Sequence, residues 1–120
     1  MQKIYIVEDD KNIAEIEEFA LKNSGFEVYT FSNAKDFDKK MENKYPDLII
    51  MDIMLPDRDG LSLVKDLREH PETASIPVIM VTAKSSEMDK VKGLDQGADD
   101  YMTKPFGVME LVSRTKAVLR

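Results

Sequence analysis

Apolar residues are arranged along this chain in two different patterns, continuous short runs and a spacing of three or four positions. Runs of consecutive β-branched and other apolar residues predict strands that are buried on both faces. The predicted strands lie at residues 3–7, 26–31, 48–53, 76–81 and, as a shorter one, 98–102. Between and after them, apolar residues recur every three or four positions, which indicates amphipathic helices. The predicted helices lie at about residues 13–21, 34–44, 61–69, 88–94 and 107–119.

Strict alternation of strand and helix predicts a parallel sheet with helices packed on both of its faces. Right-handed crossover connections leave few topologies for five such units. The common solution is the strand order 2-1-3-4-5, which has a switch point between strands 1 and 3. We therefore predict one α/β domain over residues 1–120, a three-layer sandwich built from five β–α units.

Carboxylates interrupt or follow two of the predicted strands. Glu8 and Asp9 come directly after strand 1, and Asp52 lies near the end of strand 3, before a turn at residues 55–60. Open α/β sheets place ligand sites at the carboxyl ends of their strands, close to the switch point. Taken alone, Asp52 fits a turn-capping role equally well. The three carboxylates together favour a binding site at this edge.

Composition excludes several classes of function. The net charge of −6 argues against nucleic-acid binding by this domain, because phosphate contacts need a basic face. The chain has no cysteine and one histidine, which excludes disulfides, thiol catalysis and multi-histidine metal sites. No apolar run approaches the ~20 residues of a membrane span, and no signal peptide opens the chain. We therefore expect a cytoplasmic protein that does not contact membranes.

The carboxylate cluster indicates a hard cation and phosphoryl chemistry. Oxygen ligands without histidine or cysteine suit Mg²⁺ or Mn²⁺, and the loop pattern of a Ca²⁺ site is missing. Thr82 and Lys104, in the loops after strands 4 and 5, add a hydroxyl and an ammonium at the same edge. These groups can hold a phosphoryl group, and Asp52 is the candidate nucleophile. No glycine-rich loop follows strand 1, which disfavours nucleotide and flavin binding.

Five short motifs in this order resemble the receiver domain of two-component response regulators, over essentially the whole chain. The motifs are Val7-Glu8-Asp9-Asp10, Asp52 with Leu55-Pro56 and Asp59-Gly60, Val81-Thr82-Ala83, Gly97-Ala98-Asp99-Asp100-Tyr101 and Lys104-Pro105-Phe106. The resemblance implies the flavodoxin-like (βα)5 fold. It also implies a signalling function, in which a sensor histidine kinase is the partner and supplies a phosphoryl group.

The resemblance assigns roles to the acidic residues. Asp52 would be the phosphoacceptor. Asp9 would bind Mg²⁺ directly and Glu8 would bind it through water. The backbone carbonyl of Met54 would complete the protein ligands of the metal. Asp10, Asp57 and Asp59 are interpreted as capping and turn residues.

The resemblance also assigns roles at the ends of the last two strands. Thr82 and Lys104 would hold the phosphoryl oxygens. Tyr101 would be an aromatic switch that turns inward when Thr82 moves. The Lys104–Pro105 peptide bond would be cis, a state that is accessible at modest cost only before proline.

A finer resemblance is to the OmpR/PhoB-type branch, which dimerises on phosphorylation through helix 4, strand 5 and helix 5. Charge pairs across a two-fold axis would be Lys90 with Glu110, Asp100 with Arg114, and Asp95 with Lys116. Val91 and Leu94 would form the apolar centre of the same face. That branch carries a C-terminal DNA-binding domain, so we expect this chain to be the N-terminal part of a longer transcription regulator.

Two other functions use similar residues. An aspartyl-phosphate phosphatase of the haloacid-dehalogenase type also needs an Asp at a strand end, Mg²⁺, Thr and Lys. That chemistry usually needs a second acid two residues after the nucleophile, where this chain has Met54. The other alternative is an interaction module that never takes phosphate. We expect neither, and no turnover enzyme, but a phosphoacceptor that assists its own phosphorylation and dephosphorylation.

Overall fold

Five strands alternate with five helices in the computed structural model, which describes all 120 residues. The strands are β1 (Lys3–Val7), β2 (Glu27–Phe31), β3 (Leu48–Met51), β4 (Val78–Thr82) and β5 (Asp100–Thr103). The helices are α1 (Lys11–Asn23), α2 (Ala34–Met41), α3 (Gly60–Glu69), α4 (Glu87–Asp95) and α5 (Val108–Leu119). All neighbouring strands pair in parallel, in the order β2-β1-β3-β4-β5. The predicted α/β architecture and strand order are confirmed.

Two apolar cores lie on opposite faces of the sheet, because successive strand residues point to opposite sides. On one face, Tyr5 and Met51 pack with α2 and α3. On the other face, Ile6 and Ile50 pack with α1 and α5, including Leu111. Burying such a side chain stabilises the fold by about 1.5–3 kcal/mol. Both faces of β1, β3 and β4 are therefore covered, as their continuous apolar sequences predict.

The second helix is shorter than its pattern predicts, since α2 ends at Met41 and not near Lys44. Tyr45 precedes Pro46, and a residue before proline is disfavoured in helical conformation. The carbonyl of Lys44 instead accepts a hydrogen bond from the Tyr5 hydroxyl (2.8 Å). The end of the helix is therefore decided by a proline and by a residue of the central sheet.

The fourth and fifth strands both begin two residues later than predicted. Pro77 has no N–H to give to a strand neighbour, so β4 begins at Val78 and ends at Thr82. The backbone of Asp99 donates to the Val78 carbonyl (2.8 Å), and its carboxylate accepts from the Val78 N–H (2.8 Å). This pairing aligns the two strands and makes Thr82 the last residue of β4.

Only part of the apolar pattern of α1 faces the sheet. Ile16 and Phe19, which mark this helix in the sequence, are 49% and 69% exposed. Glu17 is completely buried in their place, together with Ala20 and Leu21. Hydrophobic spacing therefore predicted the helix and the burial of Ala20 and Leu21, but it did not predict the exposure of Ile16 and Phe19.

None of the five helices combines the length and the apolar character that crossing a bilayer requires.

Candidate functional site

The candidate site lies at the carboxyl edge of the sheet, at the switch point between β1 and β3. Glu8 follows β1, and Asp52 follows β3. The N–H of Asp52 donates to the carbonyl of Val7 (3.1 Å), so the two neighbouring strands hold the two carboxylates side by side. Lys104 follows β5, and its N–H donates to the carbonyl of Thr82 (2.8 Å). Backbone pairing thus places all these residues at one edge.

Lys104 bridges the two buried carboxylates. Its ammonium lies 2.7 Å from Asp52 Oδ2 and 2.5 Å from Glu8 Oε1. Glu8 is 3% and Asp52 5% exposed. The second oxygen of Glu8 accepts from the Asp10 N–H (3.1 Å), and that of Asp52 accepts from the Met54 N–H (3.1 Å). Each carboxylate is therefore compensated by the ammonium and by one backbone donor.

The site perturbs the proton affinities of its members. Burial raises the pKa of Glu8, and the hydrogen bond from Lys104 only partly offsets that effect. For Lys104, burial acts to lower the pKa, but its hydrogen bonds to Asp52 and Glu8 outweigh burial and raise the pKa. Lys104 therefore stays a cation, and its charge holds the two neighbouring carboxylates together.

The donor set fits a hard divalent cation. Glu8, Asp9 and Asp52 each offer a carboxylate oxygen, and these oxygens lie within 4.8 Å of one another. Asp9 is exposed to solvent, while the other two residues are buried. Oxygen ligands with one open side suit Mg²⁺, which keeps several waters. The direct and water-mediated roles assigned to Asp9 and Glu8, and the ligand role of the Met54 carbonyl, stay predictions.

Thr82 and Tyr101 share one partner, Lys84, in the loop that follows β4. Thr82 is completely buried, and its Oγ1 accepts from the N–H of Lys84 (3.4 Å). Tyr101 is half-buried, and its hydroxyl donates to the carbonyl of Lys84 (2.7 Å). The Lys104–Pro105 peptide bond is cis. The structure thus connects Thr82 to Tyr101 through the loop that follows β4, while their switching roles stay predictions.

The residues of the predicted dimer face belong to α4, β5 and α5. Most of them are exposed: Lys90, Val91, Leu94, Asp95, Glu110 and Lys116. Arg114 already has partners within the chain, since it contacts Asp100 (3.0 Å) and Glu110 (3.0 Å). Asp100 and Arg114 are predicted to pair across the two-fold axis of a dimer. That pairing would have to replace the contact that the same two residues make within one chain.

Three aspartates that flank the site are capping residues. Asp10 caps α1 and Asp59 caps α3, each through its own carboxylate. Asp57 caps α2 from a distance, because its carboxylate accepts from the N–H groups of Ala34 (2.9 Å) and Lys35 (3.0 Å). These N–H bonds lower the pKa of Asp57. The loop that follows Asp52 is therefore attached to the start of α2.

Gly60 allows that loop to close tightly over Asp52. A Cβ at this position would lie 2.8 Å from Ile53 Cα and closer still to the carbonyl oxygen of Asp52. Backbone atoms cannot move aside as a flexible side chain can. We expect Gly60→Ala to lower the free energy of unfolding by about 2 kcal/mol through overpacking, measured by urea denaturation.

Gly107→Ala is the matched control for that substitution. A Cβ at residue 107 would meet its nearest neighbour, Glu110 Cβ, at an ordinary 3.7 Å. Residue 107 is the N-cap of α5, where glycine is preferred over alanine, so the expected loss is about 0.5–1 kcal/mol and smaller than that at Gly60. Equal stability of the two variants would contradict the close approach at Gly60.

Glu17 is the residue near the site that sequence reasoning missed. It is buried in α1, and neither carboxylate oxygen has a hydrogen-bond partner. Burial raises its pKa to about 8, and the negative charge of Glu8 adds to the effect. A signal was present, because Glu17 lies three residues after Ala14 and four before Leu21, on the buried side of the helix.

Comparisons with known proteins agree on one family. A family model described as the response regulator receiver domain matches residues 4–116. The chain is 33% identical to the receiver domain of Francisella response regulator 1452, with a TM-score of 0.92 over 99% of this chain and 97% of that one. The BeF3-activated N-terminal receiver domain of RstA from Klebsiella pneumoniae is 30% identical (TM-score 0.90, 98% of each chain).

A third similar structure contains a metal ion. It is the receiver domain of a sensor histidine kinase from Pseudomonas aeruginosa, with magnesium coordinated in its active-site cleft. That chain is 29% identical, with a TM-score of 0.88 over 98% of this chain and 97% of that one. The acidic cluster of Glu8, Asp9 and Asp52 is the corresponding candidate here.

Proposed function

The chain belongs to the response regulator receiver domain family of two-component systems, and from that premise we propose that it is a switch driven by phosphorylation of Asp52. The observation that carries the proposal is the bridge of Lys104 between buried Asp52 and Glu8. A nearly buried carboxylate beside a fixed cation and a metal-competent cluster is suited to accept a phosphoryl group.

The proposed step transfers a phosphoryl group from the phosphohistidine of a sensor histidine kinase. A bond forms between phosphorus and an Asp52 carboxylate oxygen as the bond between phosphorus and the donor nitrogen breaks. The nitrogen leaves with the electron pair of that bond. Phosphoryl transfer depends mainly on positioning and charge neutralisation. The chain itself is a reactant in this step and not a turnover enzyme.

The site residues would divide this task among them. The Lys104 ammonium would turn from the carboxylates and donate a hydrogen bond to an incoming phosphoryl oxygen. The Thr82 hydroxyl would donate to another of these oxygens. Glu8, Asp9 and Asp52 would hold Mg²⁺ or Mn²⁺, which supplies the remaining neutralising charge when it is bound. The N–H of Met54 keeps Asp52 oriented through its hydrogen bond (3.1 Å).

Intact-mass measurement tests this proposal. The chain is incubated with acetyl phosphate or phosphoramidate, with and without Mg²⁺, and the mass of each product is measured. We expect one phosphate adduct that requires Mg²⁺, and no adduct in Asp52→Asn. Asp47→Asn is the matched control. Asp47 directly precedes β3, at the end of the strand opposite to Asp52, and its carboxylate accepts a hydrogen bond from the Lys3 N–H (2.7 Å). This control is expected to take up phosphate normally.

The same experiment separates the alternatives. An adduct in Asp52→Asn would contradict the assignment of the phosphoacceptor. Catalytic hydrolysis of the donor without an adduct would favour a phosphatase of the haloacid-dehalogenase type. A folded chain with neither adduct nor turnover would be an interaction module.

We further propose an OmpR/PhoB-type output through α4, β5 and α5. The exposed apolar residues Val91 and Leu94 would meet their copies across a two-fold axis. The surrounding charged residues would contribute to the choice of partner and add little affinity. The full-length protein would then be a cytoplasmic transcription regulator with a C-terminal DNA-binding domain. Sizing chromatography of the phosphorylated chain is expected to give a dimer, which Leu94→Asp should abolish without preventing the phosphate adduct.

A further inference from the structure

The loop between β3 and α3 folds back on itself as a short hairpin that begins beside the candidate phosphoacceptor. Met54 pairs with Asp59 in an antiparallel bridge, and residues 55–58 connect the two sides as the tip of this 54–59 hairpin. The N–H of Met54 donates to the Asp52 carboxylate (3.1 Å). Met54, the predicted carbonyl ligand of the metal, therefore lies at the base of the hairpin, and its position depends on how the hairpin is held.

A carboxylate binds the tip of the 54–59 hairpin to helix α2. Asp57 accepts hydrogen bonds from the N–H groups of Ala34 (2.9 Å) and Lys35 (3.0 Å), the first two residues of that helix. The guanidinium of Arg58, the next residue, lies 3.9 Å from the Asp38 carboxylate on the same helix. Asp57 therefore makes the closest polar contacts between the hairpin and α2.

The start of α2 also has a cap of its own. The side chain of Asn33 accepts from the N–H of Asp36 (2.8 Å), and its backbone carbonyl accepts from the N–H of Phe37 (3.4 Å). Water can satisfy the remaining free N–H groups at a helix start, and Asp57 is itself exposed. The helix therefore does not depend on Asp57 alone, whereas the hairpin has no closer polar contact with α2.

We propose that Asp57 is a positioning residue, which anchors the hairpin tip to α2 and thereby holds Met54 in place for metal binding. The inference rests on the proposed function in one respect, the divalent cation at the three carboxylates. A backbone carbonyl has no side-chain torsion that could bring it to an ion, so its place is set by the loop alone. Mg²⁺ demands near-ideal octahedral geometry, and a loosened hairpin therefore lowers the affinity.

Binding of Mn²⁺, followed by the electron paramagnetic resonance of the free ion, tests this role without any phosphoryl donor. Asp57→Ala is expected to raise the dissociation constant for Mn²⁺ by roughly tenfold, as for other residues that orient metal ligands. Asn33→Ala is the matched control, because it removes a cap from the same helix start without touching the hairpin. Its Mn²⁺ affinity should equal that of wild type. An unchanged affinity in Asp57→Ala would overturn the proposal.

Thermal unfolding separates positioning from capping alone. Asp57→Ala and Asn33→Ala each remove a cap of α2, so both are expected to lower the unfolding midpoint by a similar amount, roughly 3–6 °C. Equal weakening of Mn²⁺ binding in both variants would reduce Asp57 to a cap of α2 and overturn the proposal.

Asp57→Asn separates the contact from the charge. Its amide oxygen can still accept an N–H of α2, so this variant should bind Mn²⁺ more tightly than Asp57→Ala does. A loss of affinity as large as that of Asp57→Ala would mean that the negative charge acts on the metal from a distance, and it would overturn the positioning role.

Hydrogen exchange in the metal-free chain measures the hairpin itself. Asp57→Ala is expected to speed amide exchange severalfold at Met54 and at Gly60, whose N–H donates to the Ile53 carbonyl (2.8 Å). Asn33→Ala should leave both amides unchanged. Weaker Mn²⁺ binding with unchanged exchange at these two amides would contradict an effect through the hairpin and overturn the proposal.

The results also distinguish this inference from the proposed function. A wild-type chain that binds Mn²⁺ but takes up no phosphate from acetyl phosphate would end the proposed function, while weaker Mn²⁺ binding in Asp57→Ala would still support the positioning role. Phosphate uptake by wild type, with equal Mn²⁺ affinities of wild type and Asp57→Ala, would overturn this inference alone. A wild-type chain that binds no Mn²⁺ would overturn both.

Discussion

Glu17→Gln is expected to make the protein more stable by about 3 kcal/mol at pH 7, because the buried carboxyl has a pKa of about 8 in the folded chain against an ordinary 4.5. Between these two values the folded state holds a proton that the unfolded state has released. Wild-type stability from this group is therefore present at low pH and is lost as the pH rises from 4.5 to about 8. Glutamine has the same shape but does not titrate.

The pH dependence of the stability difference is the most specific test of this prediction. The stability difference between Glu17→Gln and wild type should grow by about 1.4 kcal/mol per pH unit between pH 5 and pH 7. Urea denaturation at several pH values measures it, and the contributions of other titrating groups cancel in the difference. Charges that face Glu17 come from Glu8 and Asp52, which raise its pKa, and from Lys104, which lowers it.

Glu15→Gln is the matched control, because Glu15 lies on the same helix and is exposed. Its stability difference from wild type should be small and independent of pH. A pH-independent difference for Glu17→Gln as well would mean that the buried carboxylate is ionised and paired in solution, contrary to the structure.

Lys104→Met is expected to lower the free energy of unfolding by about 3 kcal/mol in the absence of divalent cations, because removing one partner of a buried ion pair leaves the others uncompensated. Glu8 and Asp52 would then face each other without the ammonium, which is itself only 14% exposed in its side chain. Methionine keeps the length and apolar stem of lysine, so the loss reports the charge. Urea denaturation measures the change.

Millimolar Mg²⁺ is expected to restore much of this loss. Because a metal ion would use the same carboxylates as the ammonium, a bound cation should stabilise Lys104→Met more than it stabilises wild type. Lys39→Met, at an exposed position on α2, is the matched control and should behave like wild type with and without the metal. A Lys104→Met chain as stable as wild type, or one that gains nothing from Mg²⁺, would contradict the bridging role.

Local sequence determined the elements and the edge of the sheet that carries the site. Apolar runs and helical spacing predicted five strands and five helices, because hydrophobic periodicity reports directly on burial. The strand order followed from their strict alternation and from right-handed crossovers. The positions of Glu8, Asp52 and Lys104 just after strands then placed them at one edge. The boundaries of β4 and β5 were wrong by about two residues, since strand pairing and Pro77 decide where a strand begins.

Only the tertiary structure decided which side chains meet. The bridge of Lys104 to Glu8 and Asp52 joins residues far apart in the chain, and no local pattern encodes such a contact. Helical spacing indicated Ile16 as a core residue, yet the sheet buries Glu17 and leaves Ile16 half exposed. The orientation of α1 results from its packing against β1, β2 and α5. Contacts between elements depend on that global packing, whereas each element depends mainly on its own sequence.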